Sequence, residues 1–269
     1  MNLGKMASVE TIFAERFDAV STGGATKPLR MACVSSAGKR IEVYVRYNSE
    51  DCPVGGLVRD LIGCLLAKNV GIAVADIALV EVPNELIAHI RETNSVVAKR
   101  LSYAVAPKLG SISAGSGYQL CSSPLVITPG LRAAALKMWV FDELIFNFDR
   151  THTKPNCLFK GNDLIAIDHE KSLNLSQFGS FLCPKMPWDS SWRPNESHVF
   201  YDAVKPMALD FALINNGWDA LNTQLIDCIC STVPTAWGAD EVVEQIRCYL
   251  QSLHQNIENS LENLRSAVL

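Results

Sequence analysis

Residues 110–124 hold Gly110, Gly115, Gly117 and five serines, and they divide the chain into two parts with different hydrophobic periodicities. Such a run supplies backbone freedom and side chains that hydrogen-bond within their own loop, which is linker and turn chemistry. The part before it reads mostly as strands. Residues 29–34 and 41–47 are rich in β-formers, and Ser35-Ser36-Ala37-Gly38-Lys39 between them favours a turn. In the second run Ile41, Val43 and Val45 share one face, and Glu42, Tyr44 and Arg46 share the other. Gly55-Gly56 opens a helix in which Leu57, Leu61, Cys64, Leu65 and Lys68 recur at helical spacing, until Asn69-Val70-Gly71 ends it. Residues 72–82 read as further strand stopped by Pro83, and 84–92 as a second helix.

Beyond the break the chain turns helical. Residues 131–148 are apolar on nearly every side, as a helix buried in a core must be. Two short apolar runs, 157–160 and 164–167, flank Gly161-Asn162, a turn dipeptide that predicts a β-hairpin. After a Pro/Trp/Ser-rich loop at 184–194, Val243, Ile246, Leu250, Leu253, Ile257, Leu261, Leu264 and Val268 mark a long amphipathic helix from Asp240 onward. Its spacing is no strict heptad, so it is expected to pack on the second lobe rather than form a coiled coil. The expected class is α+β: a β-rich first lobe over 1–112, a hinge over 113–124, and a helical second lobe over 125–269, together one domain.

Composition removes several functions. Lys and Arg number 24 against 28 Asp and Glu, a net charge of −4, so no broad basic field exists for nucleic acid. With 48% hydrophobic residues and little net charge the chain is not disordered. No stretch approaches the ~18 consecutive apolar residues of a membrane span, and residues 1–13 carry no apolar block of signal-peptide length. The nine cysteines form no CxxC pair and no zinc-site spacing. Reduced core thiols in a cytoplasmic protein are expected.

Chemistry concentrates in residues 147–173, NFDRTHTKPNCLFKGNDLIAIDHEKSL. Asp149 and Arg150 follow the buried helix, Asn156 stands at the mouth of the hairpin, and Asp168 leaves its far end. Antiparallel strands bring the residue entering the first and the residue leaving the second to the same end, so Asn156 and Asp168 are neighbours with the Asp149 loop beside them. Three oxygen-bearing side chains converging on one point suit Mg²⁺, which takes hard oxygen ligands and keeps waters for phosphate oxygens. Phosphoryl transfer needs this set: one carboxylate to orient a nucleophilic hydroxyl, an Asn and a second carboxylate to hold metal. Asp and Asn at helix ends and hairpin mouths also serve as caps and turn formers.

NxDRTxxxxN followed by IDH resembles the small HipA-like kinases, relatives of the HipA serine/threonine kinase with a protein-kinase-like fold. The type II phosphatidylinositol 4-kinases resemble the layout more distantly. The resemblance is sharpest over residues 147–173 and looser over most of the chain. It implies Asp149 as catalytic aspartate, Asn156 and Asp168 as metal ligands, and ATP with Mg²⁺ as cofactors. It also implies a nucleotide loop at Ser21-Thr22-Gly23-Gly24-Ala25-Thr26-Lys27-Pro28, with Gly23 and Gly24 letting backbone N–H groups approach phosphates and Thr26 and Lys27 as side-chain donors. The family's strand lysine is replaced here by Arg46, and the helix glutamate that pairs with it by Asp60. An Arg–Asp pair keeps both charges, but a planar fork re-aims whatever it holds.

The resemblance favours a protein Ser or Thr as acceptor. A lipid headgroup is the nearest enzyme alternative, weakened by the lack of any run of four or more Lys/Arg. A pseudokinase or nucleotide-dependent binding module is the alternative that Arg46 and Asp60 motivate. His152 and His169 flank the site without zinc-ligand spacing, and Gly115-Ser116-Gly117 lacks the hydrolase elbow pattern.

Overall fold

A computed structural model describes residues 9–21, 26–122, 126–175, 185–205 and 217–268. The first lobe is a closed five-stranded barrel in the order β1-β2-β3-β5-β4. Its strands are β1 (Glu10–Val20), β2 (Leu29–Val34), β3 (Arg40–Arg46), β4 (Ile77–Glu81) and β5 (Lys108–Ile112). All neighbours are antiparallel except β1 and β4, which are parallel. Alternation decides what fills the barrel: Leu29, Met31 and Cys33 of β2 and Val43 and Val45 of β3 point inward with Ile12, Ala78 and Val80. Helices α2 (Asn84–Thr93) and α3 (Ser95–Tyr103) pack Ile87, Ile90, Val97, Ala98 and Leu101 against the same core.

The residues read as linker from 110 onward are in part strand. Gly110 pairs with Val45 and with Ala78 inside the barrel. A Cβ there would lie 2.6 Å from methyl groups of both Val43 and Val80, so this glycine serves close packing rather than flexibility. The strand expected over 72–82 is confined to β4, and α3 is an added helix capped by Asn94, whose side chain accepts from the N–H of Val97.

Helix α1 (Val54–Asn69) lies between β3 and β4 in sequence, yet every residue from Gly56 to Ala67 is buried and its apolar side chains join the core of the second lobe. The lobes are further joined where Ala166 N–H donates to Ala73 O (2.8 Å) and where Trp237 Nε1 donates to Pro107 O (2.8 Å). The second lobe continues with a small sheet, β6 (Gln119–Leu120), β7 (Cys157–Lys160) and β8 (Asp163–Ala166), and with helices α4 (Arg132–Leu144) and α5 (Tyr201–Val204). Helices α6 (Thr223–Ser231), α7 (Asp240–Gln255) and α8 (Ile257–Val268) follow among the described residues. The long C-terminal helix of the sequence is thus two, broken at Asn256, with Ile246, Leu250, Leu253 and Leu264 in the second-lobe core. Trp192 is buried in that core, while Trp188 stacks on Tyr249 at 6.0 Å. Of the described cysteines, six are buried and none is disulfide-bonded. Among the described residues no helix is long and apolar enough to cross a membrane.

Buried charge on α4 makes stability depend on pH. Burial pushes the Glu143 carboxyl up to about 8, although the backbone N–H of Asn195 reaches both its oxygens at 3.0 and 3.2 Å. A carboxyl raised on folding takes up a proton, so its contribution is complete below the unfolded value near 4.5 and is lost as pH rises through about 8. Wild-type protein is therefore expected to lose a few kcal/mol relative to Glu143→Gln between pH 5 and pH 8. Denaturant unfolding at those two pH values checks this.

Candidate active site

The site is built around a buried arginine. Arg150 is fully buried at the start of the loop after α4. It pairs with Asp142 of α4 and donates to the carbonyl oxygens of Asn156 and, at 3.5 Å, Ile167. The Ile167 N–H donates to Asn156 O (3.0 Å), which closes the mouth of the β7–β8 hairpin. One guanidinium thus ties the end of α4 to both ends of the hairpin. Asp142 is itself held by His198 Nε2 (3.0 Å) and Asn147 Nδ2 (2.7 Å). Burial opposes its charge, but Arg150 and His198 outweigh that and hold its carboxyl well below the usual range.

This frame aims the polar side chains. Asn156 and Asp168 stand at φ 45° and 65°. The left-handed conformation is rare for L-residues, though Asn and Asp adopt it most readily. Asp149 Oδ2 accepts from Lys154 Nζ (2.6 Å) and from Asn156 Nδ2 (3.1 Å). No hydrogen bond among the described residues reaches its Oδ1, and the side chain is 23% exposed, which leaves that oxygen free to accept. Sequence reading missed Lys154, a cation two residues before Asn156. Burial would lower its pKa, but the bond to Asp149 and the charge of Asp168 raise it.

The first lobe supplies Arg46, the last residue of β3. Its Nη1 donates to Asp60 Oδ2 of α1 (2.7 Å) and to Asp168 Oδ1 (3.0 Å). Against the pull of burial, these carboxylates raise its pKa; burial likewise opposes the charge of Asp168, but Arg46 followed by Lys154 outweighs it and lowers the Asp168 pKa. The polar network thus consists of two hydrogen-bonded sets, Arg46 with Asp60 and Asp168, and Asp149 with Lys154 and Asn156, with the charge of Lys154 acting on Asp168 between them. Thr26 and Lys27 lie just before β2, where the loop is closed by Ser21 N–H donating to Pro28 O (2.8 Å). No hydrogen bond among the described residues links them to the network. Gly23 and Gly24 lie outside the described residues.

The donor set fits Mg²⁺. Asn156 Oδ1 and Asp168 Oδ2 accept no hydrogen bond among the described residues, since Asn156 spends its amide nitrogen on Asp149 and Asp168 meets Arg46 with its other oxygen. Two such oxygens are what a cation that completes its shell with water and phosphate requires. A second cluster, Asp60, Cys64 and His169, also brings three ligand atoms within 4.8 Å of one another. It is a poor cation site: Asp60 Oδ2 is taken by Arg46, its Oδ1 by the backbone N–H of His169 (2.8 Å), and Arg150 flanks the imidazole. Burial and Arg150 lower the His169 pKa to about 4, which leaves its ring neutral at pH 7.

A family model described as HipA-like kinase matches residues 17–267. Among solved structures, the chain is similar to the Helicobacter pylori proinflammatory kinase CtkA, with 11% identity, 94% of this chain and 96% of that chain covered, and a TM-score of 0.53. At that identity the likeness is one of fold. No curated protein matches the chain.

Proposed function

The chain belongs to the HipA-like kinase family, and we propose that it transfers the γ-phosphate of ATP to a hydroxyl acceptor, a Ser or Thr of a protein. The observation that carries this reading is the Arg46–Asp168 bond between the lobes at the hairpin mouth where Asn156, with Lys154, holds Asp149: a carboxylate for the acceptor near cations and oxygen ligands for phosphate.

In this reading Asp149 Oδ1 accepts the hydrogen of the acceptor hydroxyl and aims its oxygen along the transfer axis. Lys154 and Asn156 hold the carboxylate from its other oxygen, so that orientation costs little at the moment of reaction. Asn156 Oδ1 and Asp168 Oδ2 would hold Mg²⁺, which when bound neutralises phosphate charge. Arg46, braced by Asp60, presents its remaining N–H groups to phosphate oxygens, while Thr26, Lys27, Gly23 and Gly24 form the nucleotide loop. The joint after β5 lies against the adenine.

A second reading, a nucleotide-dependent binding module without transfer, draws on one observation: Arg46 already occupies an oxygen of Asp168. Incubation with labelled ATP and a cell lysate separates the two. Transfer to protein, with phosphoserine or phosphothreonine on hydrolysis, is expected. Label only in lipid would move the acceptor to a headgroup, and nucleotide binding without any transfer would leave the module.

A further inference from the structure

The buried groups between Arg150 and Arg46, which phosphate transfer does not use directly, form a series of donors and acceptors. Arg150 Nη2 lies 3.4 Å from His169 Nε2. A guanidinium only donates, so Nε2 accepts and the proton of the neutral ring sits on Nδ1. That nitrogen faces Cys64 Sγ at 3.4 Å. Cys64 Sγ in turn lies 3.8 Å from Asp60 Oδ1, and Asp60 Oδ2 holds Arg46. The three links from Arg150 to Asp60 run in one direction, Arg46 donating to Asp60 from the other side, and all four residues from Arg150 to Asp60 are buried.

We propose that His169 and Cys64 are positioning residues: a one-way hydrogen-bond chain, Arg150 to His169 to Cys64 to Asp60, fixes the Asp60 carboxylate and through it sets Arg46. The consequence for nucleotide rests on the phosphotransferase reading; the chain itself does not.

The packing supports it. A Cβ at Gly63 would lie 2.7 Å from His169 Cβ and 3.3 Å from Ser172 Oγ, so α1 approaches the 168–172 turn as closely as it does because the residue before Cys64 is glycine. The same contact is held by His169 N–H to Asp60 Oδ1 (2.8 Å) and by Arg59 Nε to Glu170 O (2.8 Å). A cysteine that only filled space would need no partner on either side. Here the thiol accepts from the imidazole and has an acceptor in Asp60, so it adds a side-chain link from Arg150 to the helix bracing Arg46 beside those two bonds.

The test compares wild type with Cys64→Ala and Cys64→Ser. Nitrogen-15 NMR of the imidazoles, with His169→Gln assigning the signal, is expected to show His169 as the Nδ1–H tautomer in wild type and in Cys64→Ser. Calorimetric titration with MgATP is expected to show Cys64→Ala weakened about fivefold, the size of one lost hydrogen bond, and Cys64→Ser within about twofold of wild type. In an Arg46→Gln background Cys64→Ala should add no further loss, because both changes act through the same guanidinium. An Nε2–H tautomer in wild type overturns the chain. Equal weakening by Ala and Ser, or additive losses with Arg46→Gln, overturns the positioning role. If wild type binds no MgATP, the phosphotransferase reading fails, and the tautomer still decides the chain.

Discussion

Asp149→Ala is expected to lower phosphate transfer from MgATP by ~10²–10⁴-fold, the range a positioned acid–base group contributes. Its effect on MgATP affinity should stay within about twofold, the signature of a group that acts in the transition state rather than in ground-state binding. The geometry separates the two roles. Asp149 spends one oxygen on Lys154 and Asn156 and keeps the other unbonded among the described residues, whereas Arg46 and Asp168 bond to each other apart from it. Single-turnover transfer and calorimetry on the same variant check the split. A variant that loses affinity as much as rate would place Asp149 among the nucleotide ligands instead.

Asp142→Ala should be the most destabilising single change in the second lobe, by about 3–5 kcal/mol, because it leaves the Arg150 guanidinium charged, dry and unpaired. In a chain of this size that lowers Tm by roughly 10 °C. The solvent-exposed pair Lys68–Asp76 is as short, at 2.6 Å, yet its side chains are 64% and 63% exposed. Asp76→Ala should cost under about 1 kcal/mol, since water already screens that attraction. Thermal unfolding of both variants tests burial, not distance, as what sets the cost.

The parts of this architecture that were legible in the sequence are those written in local patterns. Gly161-Asn162 between apolar runs located the hairpin, and that hairpin alone brings Asn156 beside Asp168. Apolar residues on nearly all sides of α4 announced burial, and helical spacing located α1, but neither pattern says against what. That α1 belongs to the second core rather than to the barrel is a tertiary fact. β5 was illegible because Gly110 and Ser111 look like linker, and the crowding that requires a glycine comes from Val43 and Val80, far away in sequence. The Asn94 cap that starts α3 was available as a signal. In the site, Asp149, Asn156 and Asp168 carry a spacing; Lys154 does not, and the patterns that hold Cys64 (helical periodicity) and His169 (the IDH run) say nothing of their contact with each other. Their roles arise when α1 settles on the 168–172 turn, an approach that Gly63 permits and that no periodicity records.

In the phosphotransferase reading Asp168, Asn156 and Arg46 together make a MgATP site. Thermal unfolding with MgATP at about 100 times its dissociation constant tests it most directly. Wild type should gain about 2.7 kcal/mol, seen as several degrees of Tm, and Asp168→Ala at the same concentrations should gain little. An unchanged Tm in wild type, or an equal gain in Asp168→Ala, would contradict it.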